Sequence, residues 1–228
     1  MNQSLNYSNI FDKYAANYNN YVLGYTVQRR YELISRFLKG SVFELGSANG
    51  ELLNYDNSSS SILLSDISSE MCKVIEKNFN HKAICIDVDS FDLSPKKFDT
   101  IVALDVLCYS EDLYKSIKNI KKHLNSDGKL FVSSFNSKLK PLLFLRKILQ
   151  KFTNLNHVWF DEDIPVKSEY LDLNEFEKIL LTQNLTINST FYIAPIPFKY
   201  FHKFNIFLEK TFLKYLSTNI VLEISNRS

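Results

Sequence analysis

Carboxylates stand at the ends of three apolar segments in the first half of this 228-residue chain. They are Asp66, Asp87 and Asp105, and each closes a run of residues typical of a buried strand. A carboxylate at the tip of such a strand can accept hydrogen bonds from both hydroxyls of a ribose, because its two oxygens match a pair of hydroxyl donors. The alternative for Asp66 is capping of the helix that follows it, a role for which Ser68 is equally suited.

A glycine-marked turn precedes these acids. Gly46 and Gly50 flank the small residue Ala48, and this composition lets the backbone turn sharply and lets a ligand approach its amide groups. The spacing disfavours a dinucleotide site, because G-x-G-x-x-G requires a glycine where Glu51 stands. The pattern is Glu44-x-Gly46-x-Ala48-x-Gly50, although a strand-to-helix turn in any α/β protein can carry two glycines.

The acids and the turn need a scaffold that brings strand ends together. Continuous apolar runs predict strands buried on both faces at Ser41–Leu45, Ile62–Asp66, Ala83–Asp87 and Lys97–Asp105. Amphipathic helices are predicted after the second and fourth of these strands, over Ser69–Phe79 and about Leu113–Leu124. In an open α/β sheet, ligands bind outside the carboxyl ends of the strands.

The glycine pattern resembles the first motif of class I S-adenosylmethionine (SAM) dependent methyltransferases, D/E-x-G-x-G-x-G, with Ala48 at the middle glycine. Other family motifs have counterparts in the same order, and they extend the resemblance over residues 10–136. The counterparts are Phe11–Tyr18, Asp66–Met71, Lys97–Asp105 and Leu124–Ser134, with Asp127 at the first of two family glycines. The chain is most similar to the small-molecule members of the family, of the ubiquinone- or menaquinone-biosynthesis type.

The resemblance implies an α/β fold with a doubly wound, mostly parallel seven-stranded sheet, an antiparallel last strand and helices on both faces. We expect one domain over residues 1–228. Helices within residues 1–40 are expected to cover the cofactor, and residues 137–170 stand where such enzymes build a substrate lid.

The implied cofactor is SAM. The resemblance puts its ribose on Asp66, its adenine beside Asp87 and Val88, and its methionine end over the Gly46–Gly50 loop. The residues expected to contact it are Tyr14, Tyr18, Glu44, Gly46, Ser47, Gly50, Asp66, Ile67, Met71, Asp87, Val88 and Leu104.

Methyl transfer from a sulfonium needs positioning and exclusion of water more than a dedicated catalytic group. An acceptor hydroxyl or protonated amine would still benefit from a base. The candidates are Asp105, His157 and Asp161, with Tyr109 orienting the acceptor. The alternative for a lone histidine such as His157 is a structural role. No cluster of Asp, His and Glu predicts a metal site.

The acceptor is predicted to be a small molecule, methylated on oxygen or nitrogen, such as a natural-product, quinone, sugar or lipid intermediate. After the fourth strand Leu104-Asp-Val-Leu107 stands in place of the Pro-Pro-Tyr motif of methyltransferases that act on base or amide nitrogens. A non-catalytic SAM- or nucleoside-binding protein of the same fold is the alternative, because Ala48 and Asp127 replace family glycines.

The formal net charge of +2 provides no long-range field for nucleic acid, so we expect no nucleic-acid partner. Residues 1–18 lack the apolar run of a signal peptide, and the three cysteines lack metal-site spacing, so a cytoplasmic enzyme is expected.

Two segments, 138–152 and 198–216, mix Lys or Arg with Leu, Ile, Phe and Tyr at helical spacing. This pattern is compatible with peripheral contact to a membrane surface. The alternative is that the apolar residues are core and the lysines are simply solvated.

Overall fold

A computed structural model describes residues 3–20, 24–136, 139, 171–196, 199–217 and 219–227. The α-helices within these ranges are α1 (Gln3–Tyr14), α2 (Gly24–Ile34), α3 (Ser69–Phe79), α4 (Leu113–Lys122), α5 (Leu173–Thr182) and α6 (His202–Leu208). The strands are β1 (Gly40–Leu45), β2 (Ser59–Asp66), β3 (Ala83–Cys85), β4 (Phe98–Leu104), β5 (Leu124–Phe135), β6 (Leu185–Ile193) and β7 (Asn219–Asn226).

The strands form one sheet in the order β3-β2-β1-β4-β5-β7-β6. Strands β1 to β5 pair in parallel, and β7 lies antiparallel between β5 and β6. From β1 the chain adds β2 and then β3 on one side of the sheet, and it then adds β4 and β5 on the other side of β1. This confirms the predicted doubly wound sheet, and it puts the switch point, where ligands bind in such sheets, between β1 and β4.

Alternate residues of each strand pack on opposite faces of the sheet. On one face, Phe43 and Ile101 pack with Phe176 of α5 and with α4. On the other, Val42 and Val102 pack in a second cluster with residues of α2 and α3. Helices therefore cover both faces, as predicted, and the central strands are apolar throughout because neither face meets water.

The structure describes most of the N-terminal region but little of the predicted lid. The N-terminal region forms α1 and α2, extended by short 3₁₀ turns at Ala15–Asn20 and Ser35–Phe37. The predicted lid at 137–170, like the basic segment 138–152, lies outside the described residues apart from Leu139. In the described part of the chain, no helix is both long enough and apolar enough to cross a membrane.

Candidate cofactor and acceptor site

The loop after β1 has an unusual backbone. Gly46, Ala48 and Gly50 all have positive φ angles, of 68°, 45° and 81°. Between them the Ser47 amide donates to the Ser65 carbonyl at 2.8 Å, which ties the loop to β2. The left-handed residues fold the loop into a tight turn, in which the Ala48 amide donates to Asp66 at 2.9 Å and the Gly50 amide donates to the Ser47 carbonyl at 2.7 Å.

Exchanging glycine and alanine within this loop should have opposite consequences. A Cβ on Gly46 would overlap Cγ2 of Val106, so Gly46→Ala should lower the free energy of unfolding by about 2 kcal/mol through strain and overpacking. Ala48→Gly relieves about 1 kcal/mol of strain and loses a similar amount to unfolded-chain entropy, so its net effect should be small. Urea unfolding of both variants tests this, and equal destabilisation would contradict the loop geometry.

Asp66 joins the loop to the start of α3. Its side chain is buried, and its two oxygens accept from the Ala48 and Ser68 amides, each at 2.9 Å. Ser68, not Asp66, is the N-cap of α3, because its hydroxyl accepts from the Met71 amide. Burial raises the pKa of Asp66 to about 6, even though the two amide hydrogen bonds oppose this shift.

Glu44 lies in β1, two residues before Gly46, and its side chain is fully buried. The Tyr31 hydroxyl donates to its Oε1 at 2.9 Å, and its Oε2 has no hydrogen-bond partner among the described residues. Burial raises the Glu44 pKa to about 8, and the charges of Asp66 and Glu51 act in the same direction. A cationic group beside these acids would favour their ionised forms, so the cluster suits a positively charged ligand.

The remaining sequence-predicted cofactor residues lie along the same edge at different depths. Asp87 is half-buried and accepts from the Asp89 amide at 2.9 Å, and Val88 packs against the core. Met71 and Leu104 are core residues, with 1% and 9% of their surface exposed. The Ile67 carbonyl accepts from the Ser8 hydroxyl of α1 at 3.1 Å.

The α1 helix crosses from the β2–α3 loop to the loop after β4. Asp12 accepts from the Ser68 hydroxyl at 2.5 Å and from the Glu70 amide at 3.1 Å. Tyr7 and Phe11 each meet the Tyr109 ring edge-on, with centroids 5.6 Å away. Helix α1 therefore lies across the carboxyl edge of the sheet, with half-buried Tyr14 as its last residue and half-buried Tyr18 in the 3₁₀ turn that follows.

Asp105 is held in a buried network directly after β4. Its carboxylate forms an ion pair with Arg30 of α2 and accepts from the Ser133 hydroxyl at 2.8 Å. The Ser133 Oγ in turn accepts from Arg30 at 3.1 Å and from the Asp105 amide at 2.9 Å. The Arg30 side chain is 8% exposed and that of Asp105 is 42% exposed, so one side of the carboxylate faces solvent. Asp105 also has a positive φ of 54°.

Sequence reasoning missed several polar residues of this edge. Arg30 and Tyr31 were hidden in an amphipathic helix, where a buried arginine is a signal for an acidic partner elsewhere. Asp89 is a further buried carboxylate, which accepts from the Ser110 hydroxyl at 2.6 Å and the Glu111 amide at 2.7 Å.

The base candidates His157 and Asp161 lie outside the described residues. The described part of the chain contains no group of three or more metal-ligating side chains.

Comparisons with known proteins agree with this geometry. The family described as "Methyltransferase domain" matches residues 43–132, the segment that contains the loop, Asp66, Asp87 and Asp105. No curated protein sequence matches the chain.

Solved structures share the fold at low sequence identity. A magnesium protoporphyrin IX methyltransferase from Synechocystis PCC 6803, crystallised with SAM, has a TM-score of 0.65 at 13% identity, covering 100% of this chain and 98% of the other. A SAM-dependent methyltransferase from Clostridium acetobutylicum ATCC 824 has a TM-score of 0.57 at 15% identity, covering 100% of both chains. The N-methyltransferase NodS from Bradyrhizobium japonicum WM9, in complex with S-adenosylhomocysteine, has 0.55 at 15% identity, covering 89% and 86%.

The structural similarities show the fold, and the family match covers the segment in which the loop and the strand-end acids are found. The left-handed loop and the acids of raised pKa also suit a cationic nucleoside. Residues 43–132 therefore match a methyltransferase domain, and the chain shares the fold of methyltransferases crystallised with SAM or S-adenosylhomocysteine.

Proposed function

We propose that the enzyme transfers the methyl group of SAM to an oxygen or nitrogen of a small-molecule acceptor in the cytoplasm. SAM supplies a methyl group on a sulfonium, which leaves as the neutral thioether when the acceptor's lone pair attacks the methyl carbon. The protein's task is to hold the two reactants in line and to remove competing water.

The proposal is supported mainly by the hydrogen bond between Asp66 and the Ala48 amide of the left-handed loop, which lies at the switch point of the sheet. Each Asp66 oxygen accepts one backbone amide, so each keeps a lone pair for a ribose hydroxyl. Asp87 and Val88 would border the adenine. The Gly46–Gly50 loop, with Ser47 and the neighbouring Glu44, would hold the methionine end, where the ammonium group complements the buried acid.

The acceptor would lie on the β4 side of the loop. Asp105 supports this assignment, because its carboxylate follows β4 and keeps a solvent-facing side while Arg30 and Ser133 hold the other. In this proposal Asp105 would orient an acceptor hydroxyl or amine, or take its proton. Tyr109, beside α1, would line the same space, Tyr14 and Tyr18 would cover the cofactor, and His157 stays a candidate base.

Substitution of Asp66 tests the cofactor site. Asp66→Ala should weaken binding of S-adenosylhomocysteine by about 10- to 100-fold, because two charge-assisted hydrogen bonds to the ribose are lost. Isothermal calorimetry measures the affinity, and circular dichroism checks the fold. Asp92→Asn is the matched control, since Asp92 is an exposed acid beside Lys122. Unchanged affinity in the folded Asp66 variant would remove the ribose role.

The acceptor class is tested by turnover. Purified enzyme and SAM are incubated with panels of phenols, hydroxylated quinones, amines and sugars, and release of S-adenosylhomocysteine is measured. Methylation of a small molecule on oxygen or nitrogen is expected. Methylation of protein or RNA alone would contradict the proposal.

A further inference from the structure

Large hydrophobic side chains are exposed mainly in one short part of the chain. Of the nine such residues in the described ranges, seven fall between positions 200 and 216. They are Tyr200, Phe201, Phe204, Phe207, Phe212, Tyr215 and Leu216. Scattered single hydrophobic residues are normal on a surface, but a contiguous aromatic patch marks an interaction site. We call this set the aromatic face.

Helix α6 holds two rings of the aromatic face, those of Phe204 and Phe207, in a defined orientation. Lys203, Phe204 and Phe207 are exposed along one side, with the two phenylalanine rings stacked at 6.3 Å. The opposite side is anchored by Asn205, which is fully buried. Its side chain accepts from the Ile196 amide at 2.9 Å and donates to the Ile196 carbonyl at 2.7 Å. These two rings are therefore presented by a helix that is hydrogen-bonded to the rest of the protein.

A groove of about 490 Å³ containing basic side chains adjoins the aromatic face. Arg29, one of its lining residues, pairs with both of the groove's acids, Glu32 at 3.1 Å and Glu209 at 2.6 Å. The other basic lining residues are Arg36, Lys210 and Lys214, and none of them forms a salt bridge within the described ranges. The surface beside the aromatic rings is therefore positively charged.

Lysine and aromatic side chains also interleave at close range. The Lys214 ammonium lies 5.2 Å from the Tyr215 ring centroid and 5.9 Å from that of Tyr192. Lysine and aromatic side chains that lie this close can enter the interfacial region of a membrane together, the rings among the headgroups and the ammonium in water. Only part of segment 198–216 packs into the core, so the alternative that its apolar residues are all buried is wrong for the aromatic face.

The topology puts this surface at the edge of the sheet that contains the cofactor loop. Segment 194–218 joins the end of β6 to the start of β7, and Ile193 pairs with Asn219 in the sheet. Asn219 also pairs with Phe135, at the carboxyl end of β5. The carboxyl ends of the parallel strands, including that of β4 before Asp105, lie at this same edge. The acceptor would enter the active site from this side.

We propose that the aromatic face and the adjoining basic groove dock the enzyme on an anionic lipid bilayer. The rings would enter the headgroup region, and Arg36, Lys203, Lys210 and Lys214 would face the anionic headgroups. A bilayer suits this surface because highly exposed rings, Tyr200 at 93% and Phe212 at 78%, lie in the same segment as exposed lysines that complement anionic headgroups. This proposal rests on the proposed function, and under it the methyl acceptor is an amphiphile that the enzyme takes from the bilayer.

Co-sedimentation tests the docking, with vesicles of phosphatidylcholine alone or mixed with phosphatidylglycerol, at low and high salt. We expect binding to the anionic vesicles at low salt and its loss at high salt. Each neutralised lysine near the surface should weaken partitioning about fivefold, so Lys210→Gln with Lys214→Gln should weaken it about 25-fold. Phe207→Ser with Phe212→Ser should also reduce binding. Lys77→Gln with Lys118→Gln, two exposed lysines on α3 and α4, is the matched control.

Absence of binding to any vesicle, or equal loss in the control pair, would overturn the docking proposal. Analytical ultracentrifugation provides a second readout. If Phe207→Ser with Phe212→Ser converted a dimer to a monomer, the face would be a contact between two copies of the chain. Calorimetry with S-adenosylhomocysteine and turnover of water-soluble acceptors are measured on the same variants. Intact values there would leave the proposed function standing even if docking fails.

Discussion

Replacing Asp105 with asparagine is expected to lower the free energy of unfolding by about 2–3 kcal/mol. The substitution removes the carboxylate charge next to the buried Arg30 guanidinium, and breaking one side of a buried ion pair is strongly destabilising. The expected value lies below that of a fully buried pair, because the Asp105 side chain is 42% exposed. Asparagine is chosen because it tolerates the positive φ of 54° at this position.

A double-mutant cycle isolates the ion pair from other effects of the substitution. Arg30→Met should also be destabilising, and the double variant should lose less stability than the two single losses added together. Asp92→Asn is the control, because the Asp92–Lys122 pair is more than half exposed and should contribute little. Urea unfolding measures the stability of the wild type and of all four variants. Additive losses would mean that Arg30 and Asp105 do not stabilise each other.

Stability should decrease as pH rises, because of Glu44. Its pKa is about 8 in the folded protein against a usual value of 4.5, so the folded state binds more protons than the unfolded state between these values. The stabilising contribution is fully present below about pH 4.5 and is lost as pH rises through about 8. A shift of this size corresponds to at most about 4–5 kcal/mol. Asp66, with its pKa raised to about 6, contributes a smaller change of the same sign.

Glu44→Gln should remove most of this pH dependence, because the amide has no proton to lose and retains an acceptor for Tyr31. The measurement is urea unfolding at several pH values between about 5 and about 8. Glu76→Gln, on the exposed side of α3, should leave the slope unchanged. Added SAM should flatten the slope of the native enzyme, since a cation beside Glu44 favours the carboxylate. An unaltered slope in Glu44→Gln would contradict the neutral state of this acid.

The sequence was sufficient for the features that depend on neighbouring residues. The predicted helix Ser69–Phe79 has the limits of α3, and Ser68 caps it because a short polar side chain reaches the next amides only from that position. The doubly wound, mostly parallel sheet and its antiparallel last strand followed from the family resemblance. The position of Asp66 at the end of β2 was also predictable, because strand ends are marked by a local change from apolar to polar residues.

Tertiary structure alone decided the partners and ionisation states of these groups. Arg30 meets Asp105 across 75 positions of chain, a distance over which sequence specifies no pairing. The raised pKa of Glu44 depends on burial from all sides, which only the packing of α2 on the sheet produces. The aromatic face was likewise ambiguous in sequence. Helical spacing alone cannot tell whether a ring points to the core or to solvent, and here the burial of Asn205 and Leu208 turns the phenylalanines outward.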